Sequence, residues 1–375
     1  MRYDKKTKPP CLRRADPLIV DRYMIREICK PLVVILAVVS VIFASYSTAG
    51  LLAEAASGLL PVDTIVALIL LKVVIALEVL LPVALYLSVV LALGRLYTDS
   101  EMTAFAAAGI GPDRVVRNVF LLSLVLAAVV ASLSLYARPW AYAESYWMKA
   151  RAAAEFNIAG LQAGGFYEGG QGNRVVFVEQ INSTRSRAKN VFIQGGNGDR
   201  VRVTRAKEVY QRTDENSGER VLVFLDGYYY DLDPDGRADL TVQFKRFTLR
   251  LLPKEIAPLE YRRKAAHTAQ LARSSDRKDI SELQWRISTP LSAVLLGLLG
   301  VSLSRTAPRQ GKYAKVLSAV VIYTLYYNVV AMAKTWVETG VVGTFPGIWW
   351  VHALMAWLLT ALLLHPVLAY RLGRK

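Results

Sequence analysis

Long apolar runs alternate with short polar stretches along the whole chain, except over one central interval where the texture changes. Six runs are long enough to cross roughly 30 Å of hydrocarbon: 31–53, 64–93, 115–137, 284–304, 315–337 and 347–369. The second is the longest and carries Pro82, which removes one helix hydrogen bond, so a tilted or kinked helix is predicted there. Ahead of the first run, PLIVDRYMIREICK (17–30) sets Leu18, Ile19, Tyr23, Met24 and Ile28 among charges. That pattern predicts an amphipathic helix lying in the membrane interface before span one.

Between spans two and three, GRLYTDSEMTAFAAAGIGPDR (94–114) is half polar. A short surface helix is predicted over 98–109. Thr98, Asp99 or Ser100 can cap it, and Glu101 suits its positive N-terminal end. Met102, Phe105 and Ala106 give it a small apolar face at i, i+3, i+4. Gly109 stops it, and Gly111-Pro112-Asp113 starts the next helix.

The central interval reads differently. Residues 141–155 continue a helix out of span three, and short alternating runs then follow between Gly- and Asn-rich turns. These runs are GGFYE, NRVVFVEQI, NVFIQG, DRVRVTRAKEVYQ, ERVLVFLDGYYYDL and ADLTVQFKRFTLRL. In the last, Leu240, Val242 and Phe244 alternate, and the phase then slips by one to Phe247 and Leu249. A bulge at Lys245-Arg246 is predicted. Six such strands imply an antiparallel sandwich or jelly roll. A charged, helix-prone tail (254–278) with a solvated His267 leads to span four. The organisation expected is 1–140 (interface helix and spans one to three), 141–279 (β-domain with helical connectors) and 280–375 (spans four to six).

Charge adds orientation. The 375 residues are 54% hydrophobic with a net charge of +16. Nineteen Lys/Arg fall in 1–30, 94–117, 305–315 and 371–375, and none in 54–63 or 338–346. The asymmetry puts both termini in the cytoplasm and the β-domain outside it. The long first apolar run has no A-x-A-like cleavage site, so an uncleaved span is read rather than a signal peptide. Cys11 and Cys29, both before span one, cannot staple the β-domain, and three scattered His do not suggest a metal site. No G-x-x-x-x-G-K-[ST] occurs, so the chain has no Walker nucleotide site of its own.

Ionisable residues within spans are costly unless they face a partner or a cavity. Lys72 and Glu78 lie in span two, Arg138 at the end of span three, and Lys334 near the end of span five, with Glu338 at i+4. By depth, Lys72, Arg138 and Lys334 share one level and suit an anionic headgroup; the bland reading is snorkelling to the interface.

Several stretches resemble one family. VDRYMIREICKP (20–31), GRLYTDSEMTAFAAAGI (94–110), ELQWRIS (282–288) and PRQGKYAK (308–315), within six spans and an inserted β-domain, look like the LptF/LptG permeases of lipopolysaccharide export, with wording nearer the LptF branch. The resemblance implies a bacterial inner-membrane transporter subunit that binds no cofactor itself. Its partners would be an LptG-like permease, two LptB-like ATPases that hold ATP and Mg²⁺, and an LptC-like bridge protein. It implies that Glu101 meets the ATPase and that Lys334 faces the lipopolysaccharide cavity; the apolar Met102 and Phe105 beside Glu101, and Lys72 and Arg138 at the level of Lys334, are the further candidates for these two contacts. It also implies that a jelly-roll interior shields acyl chains, with Val176, Val178, Val201, Val203, Leu240, Val242 and Phe244 as candidate lining residues and both faces of the strands left open by the sequence. Where some relatives carry a Lys on the outer part of span one, this chain has Ser47. The rival readings are a non-transporting scaffold or receptor and a lipid- or glycan-modifying membrane enzyme. The second has no outer carboxylate pair or His/Ser constellation to support it.

Overall fold

The computed structural model describes residues 17–56, 62–154, 163–169, 174–182, 187–197, 200–213, 220–233, 239–250, 261–304 and 314–372. Helices α1 (Pro17–Ala56) and α2 (Val62–Thr98) are followed by the short α3 (Glu101–Ala107) and by α4 (Pro112–Ser132). A π-turn at Leu133–Ala137 joins α4 to α5 (Arg138–Ala154). Strands β1 (Phe166–Gly169), β2 (Arg174–Ile181), β3 (Arg187–Asn197), β4 (Arg200–Thr213), β5 (Arg220–Leu232) and β6 (Leu240–Arg250) come next. A 3₁₀ turn, the short α6 (Thr268–Arg273), α7 (Arg277–Ser304), α8 (Ala314–Thr339) and α9 (Trp349–Leu372) complete the order.

Among the described residues, five helices are long and apolar enough to span a membrane: Ile19–Glu54, Thr64–Thr98, Pro112–Arg151, Arg277–Ser304 and Val316–Thr339. The sixth expected span falls on α9, whose described apolar stretch, Trp349–Leu363, is shorter. Pro31 and Pro82 sit inside α1 and α2 without ending them. The interface helix is therefore the start of α1 rather than a separate element. The PRQGKYAK stretch falls largely outside the described residues.

Two compact units divide the chain. The first takes 1–42, 74–139 and 266–375. Its core has two parts. In one, Tyr86 and Val90 of α2 meet Leu296 and Leu299 of α7, Val330 and Val337 of α8, and Val351 and Leu359 of α9. In the other, Met24 and Ile28 of α1 meet Leu85, Val89, Leu93 and Leu96 of α2, Met102 of α3 and Val115 and Val119 of α4. α7 packs closely because it offers glycines. A Cβ on Gly297 would lie 2.2 Å from Ser123 Oγ of α4, and one on Gly300 3.0 Å from Val89 of α2.

The second unit takes 43–73 and 140–265, so it includes the ends of α1 and α2 as well as the expected β-domain. Leu51, Ile65 and Leu68 pack with Met148, and Lys149 pairs with Glu54 at 2.7 Å. The six strands form one antiparallel sheet in the order β1-β2-β3-β4-β5-β6, every strand pairing with its sequence neighbour. Among the described residues this is a single meandering sheet, where the strand pattern predicted a sandwich or jelly roll.

The predicted bulge at Lys245-Arg246 is not a bulge. β5 and β6 keep one register from Val221↔Arg250 to Asp231↔Leu240, with no residue inserted. The phase slip has another cause. A line of positions where ladder pairing is interrupted, 179–190–207–226–245, crosses β2 to β6, and Asn190 and Asp226 on it have positive φ (48° and 47°). Each strand twists there, so the inward set changes parity on all five. Val178, Val191, Ala206, Gly227 and Phe244 form one cross-strand row, and Ile181, Ala188, Val209, Phe224 and Phe247 form the row beyond the break on the same face. Both rows feed one apolar cluster, and the Phe244 and Phe247 rings meet across the break at 5.4 Å. Gly227 is required where it stands, since a Cβ would meet the Phe244 ring at 2.6 Å.

Candidate functional site

Two polar clusters stand out in the first unit. The first is a buried charge network. α4 ends in a π-turn because Pro139 has no N–H and its ring would collide with the carbonyl four residues back, at Leu135. That carbonyl instead accepts a hydrogen bond from Thr268 Oγ1 of α6 at 2.8 Å. The turn carries Ser134 inward and delivers Arg138, only 5% exposed, between two carboxylates. Arg138 Nε lies 3.0 Å from Glu78 Oε2 of α2, and Nη1 lies 2.6 Å from Glu282 Oε1 of α7.

The second oxygen of Glu78 accepts from Trp285 Nε1 at 3.1 Å, with the hydroxyls of Ser134 and Thr289 also at 3.1 Å. Glu282 is shared further. Arg286 approaches it at 3.4 Å from one turn along α7, and Lys334 Nζ of α8 sits 2.6 Å from Oε2. Fully buried Arg286 also donates to the Ala266 carbonyl at 2.9 Å and to Thr268 Oγ1 at 3.0 Å. Lys334 lies 5.1 Å from the Trp285 ring centroid and 3.9 Å from Glu338. Three carboxylates thus balance three cations, each charge set beside an opposite one, which is the condition for keeping charges at this depth.

The second cluster gathers around α3. Ser100 precedes it with φ 61° and no side-chain cap bond, and Thr98 bonds back to Gly94 within α2. Gly109 (φ 79°) closes α3 as the sequence pattern predicts. The N–H of Ile110 donates to the Phe105 carbonyl and that of Gly109 to Ala106, the two bonds of a Schellman ending. The first turns of α1 hold this region by three tethers. Asp21 accepts from Arg114 Nε and Nη2 at 2.8 Å each and from Asn118 at 2.7 Å. Tyr23 OH donates to Glu101 Oε2 at 2.8 Å, its ring edge-on to Phe105 at 6.4 Å. Glu27 pairs with Arg95 at 2.9 Å and with Lys30.

The structure sorts the residues singled out from sequence. Glu101 is half-buried in the first turn of α3, beside exposed Thr103 and Ala104. Met102 is turned into the chain's own core at 9% exposed, and Phe105 is half-buried beside it, because α1 covers the apolar face that the pattern left open. Lys334 and Arg138 come together, joined through Glu282. Lys72 lies in the second unit, half-buried, with no ion pair among the described residues. Of the apolar sheet residues, Val176, Val178, Leu240, Val242 and Phe244 share one face, while Val201 and Val203 belong to the other, since Val203 pairs with Gln194 and Tyr230 and not with the Ile193–Thr204–Tyr229 row. Val176 and Val178 are buried, whereas Leu240 and Val242 are exposed.

Sequence reasoning missed Glu282, Arg286 and Trp285, all inside the quoted ELQWRIS stretch. The Glu282–Arg286 spacing of four at the head of an apolar run was the available signal. It also missed Asp21, whose partners lie 93 and 97 residues away. His267 is exposed, and no cluster of metal-ligating side chains occurs among the described residues.

Spanning helices, an inserted β-sheet and a balanced charge network inside the helical unit define a multi-pass membrane protein with a sheet domain. The chain belongs to the lipopolysaccharide export system permease LptF/LptG family, whose model matches residues 22–365. It is 26% identical over 335 residues to the lipopolysaccharide export system permease protein LptF of Escherichia coli strain K12, covering 85% of this chain and 87% of the relative. The LptF of Shigella flexneri matches with the same identity and coverage.

Proposed function

We propose that this chain is a permease subunit of an ATP-driven exporter that lifts lipopolysaccharide out of the inner membrane and passes it to a periplasmic bridge. In this reading it pairs with an LptG-like permease, is driven by two LptB-like ATPases that hold ATP and Mg²⁺, and hands lipid to an LptC-like protein. It is not itself an enzyme. Both termini lie in the cytoplasm and the sheet lies in the periplasm. The carrying observation is α3, a short helix between two spanning helices, whose apolar side is anchored at home while Glu101 still reaches solvent beside the exposed Thr103 and Ala104.

Lipid recognition is assigned first to Lys334. Its ammonium rests on Glu282 with the side chain 16% exposed, so a phosphate oxygen would replace one anionic acceptor by another. Lys72 offers a second cation. Arg138, committed to Glu78 and Glu282, acts from behind by holding Glu282. Acyl chains would pass along the sheet face of Val176, Val178, Leu240, Val242 and Phe244, which closes into a jelly-roll-like conduit.

Affinity purification from membranes, with mass spectrometry of proteins and lipids, tests the class directly. A cytosolic ATPase and lipopolysaccharide should come along. In that complex Lys334→Ala should lower lipopolysaccharide crosslinking about tenfold, the factor of one charge-assisted contact of about 1.4 kcal/mol, and Lys334→Arg should restore much of it. Undiminished crosslinking would remove Lys334 from the lipid site.

A further inference from the structure

We infer that Tyr23 is a positioning residue for Glu101, and that α1 moves as one body with α3 when the ATPase acts. The inference rests on the transporter reading above and adds the route by which force would enter the spans. Its basis is the clasp between the start of α1 and the α2–α3–α4 segment.

A lone carboxylate on a seven-residue helix would swing freely. Here Glu101 Oε2 is occupied by the Tyr23 hydroxyl at 2.8 Å, which leaves Oε1 to accept from another protein. The Tyr23 ring is itself fixed edge-on against Phe105 of the same short helix. α3 has no side-chain N-cap of its own and begins from a residue at positive φ, so its N-terminus depends on outside support. The support comes from α1: among the described residues, the Tyr23–Glu101 bond is the one side-chain hydrogen bond that joins α3 to another helix. On either side of Tyr23 in the chain the same helix is tied down twice more, by Asp21 to Arg114 and Asn118 of α4 and, on the face of Tyr23 itself, by Glu27 to Arg95 of α2. Beneath these tethers Met24 and Ile28, each 1% exposed, lock onto Met102 and the α2 and α4 cores. α1 then continues as one helix through Pro31 to Ala56. A push on α3 therefore reaches α1 through one short polar bond and a packed core.

The test uses the complete complex, reconstituted with its partner permease and ATPase in lipopolysaccharide-containing nanodiscs. Tyr23→Phe keeps the ring against Phe105 and removes only the hydroxyl. The complex should still co-purify, and lipopolysaccharide released per ATP hydrolysed should fall about tenfold, as for loss of one hydrogen bond to a charged group. In a Glu101→Ala background Tyr23→Phe should add nothing. Spin labels on the exposed Ile19 and Thr103 should keep one distance with and without trapped nucleotide.

A wild-type release ratio in Tyr23→Phe, an additive effect in the double variant, or a label distance that shifts by about 5 Å, one helical turn, would each overturn the inference while leaving the transporter reading intact. If no ATPase co-purifies with the wild-type chain, that reading fails and the inference fails with it.

Discussion

At the residue scale the governing fact is that Arg138 serves two carboxylates while almost fully buried. Burying an ion pair gains little net stability, but removing one member strands the other, which costs about 3–5 kcal/mol. Arg138→Gln should therefore destabilise the chain by that amount, seen as loss of monodisperse protein on heating in detergent. Glu78→Gln combined with Arg138→Gln should be markedly milder than the sum of the single changes, because an amide beside Trp285 Nε1 and Thr289 still accepts their hydrogen bonds and no charge is left opposite. Additive losses would mean that the two side chains do not act as a pair. Lys334 differs in kind. It is the most exposed cation of the three, it sits at the rim of the network, and its partner Glu282 keeps Arg138 and Arg286 if Lys334 turns away. The network can thus release one cation without leaving its central carboxylate unpaired.

At the element scale the packing of α7 is set by what it lacks. Gly297 leaves room for Ser123 Oγ, a buried hydroxyl with no hydrogen-bond partner among the described residues. Gly297→Ala should cost about 1–3 kcal/mol through overpacking. Ser123→Ala should be close to neutral alone and should recover most of that loss in the double variant, since it removes the 2.2 Å contact and strands no partner. Equal destabilisation of Gly297→Ala in both backgrounds, by thermal unfolding in detergent, would contradict this packing. Element type and order were legible in the sequence because hydropathy runs and Gly/Asn turns are local signals. All six strands and the seven-residue α3 lie where their patterns put them. What stayed hidden was pairing across distance. A slip of phase in β6 looked like a local bulge because one strand cannot show that four others slip at the same line. Val201 and Val203 looked like partners of Val176 because alternation gives parity within a strand, and register between strands decides the face. Met102 looked outward because the pattern of α3 shows an apolar side and does not show that α1 covers it.

At the scale of the whole molecule, the proposed sidedness rests on charge. The exposed Arg22, Arg26 and Lys30 on the first turns of α1, with Arg95, Arg114 and Arg117 around α3, gather cations at one end of the helical unit. Within that end they are partly neutralised by Asp21, Glu27 and Asp99, so they also stitch α1, α2 and α4 together. Segments rich in Lys and Arg stay in the cytoplasm during insertion, whereas a long charged domain is translocated largely regardless of its own charge. In the proposed orientation the sheet, with exposed Lys189, Arg202, Arg205 and Lys207, is such a domain, so its cations do not argue for the cytoplasmic side. The orientation can be read with Cys11 and Cys29 replaced by Ser and one new cysteine placed at an exposed position. Lys189→Cys on β3 should react with a membrane-impermeant maleimide in intact spheroplasts. Thr103→Cys on α3 should react only after the membrane is opened. Labelling of Thr103→Cys from outside would put α3 on the side where no ATP is available, and the coupling role of Glu101 would have to be abandoned along with the orientation.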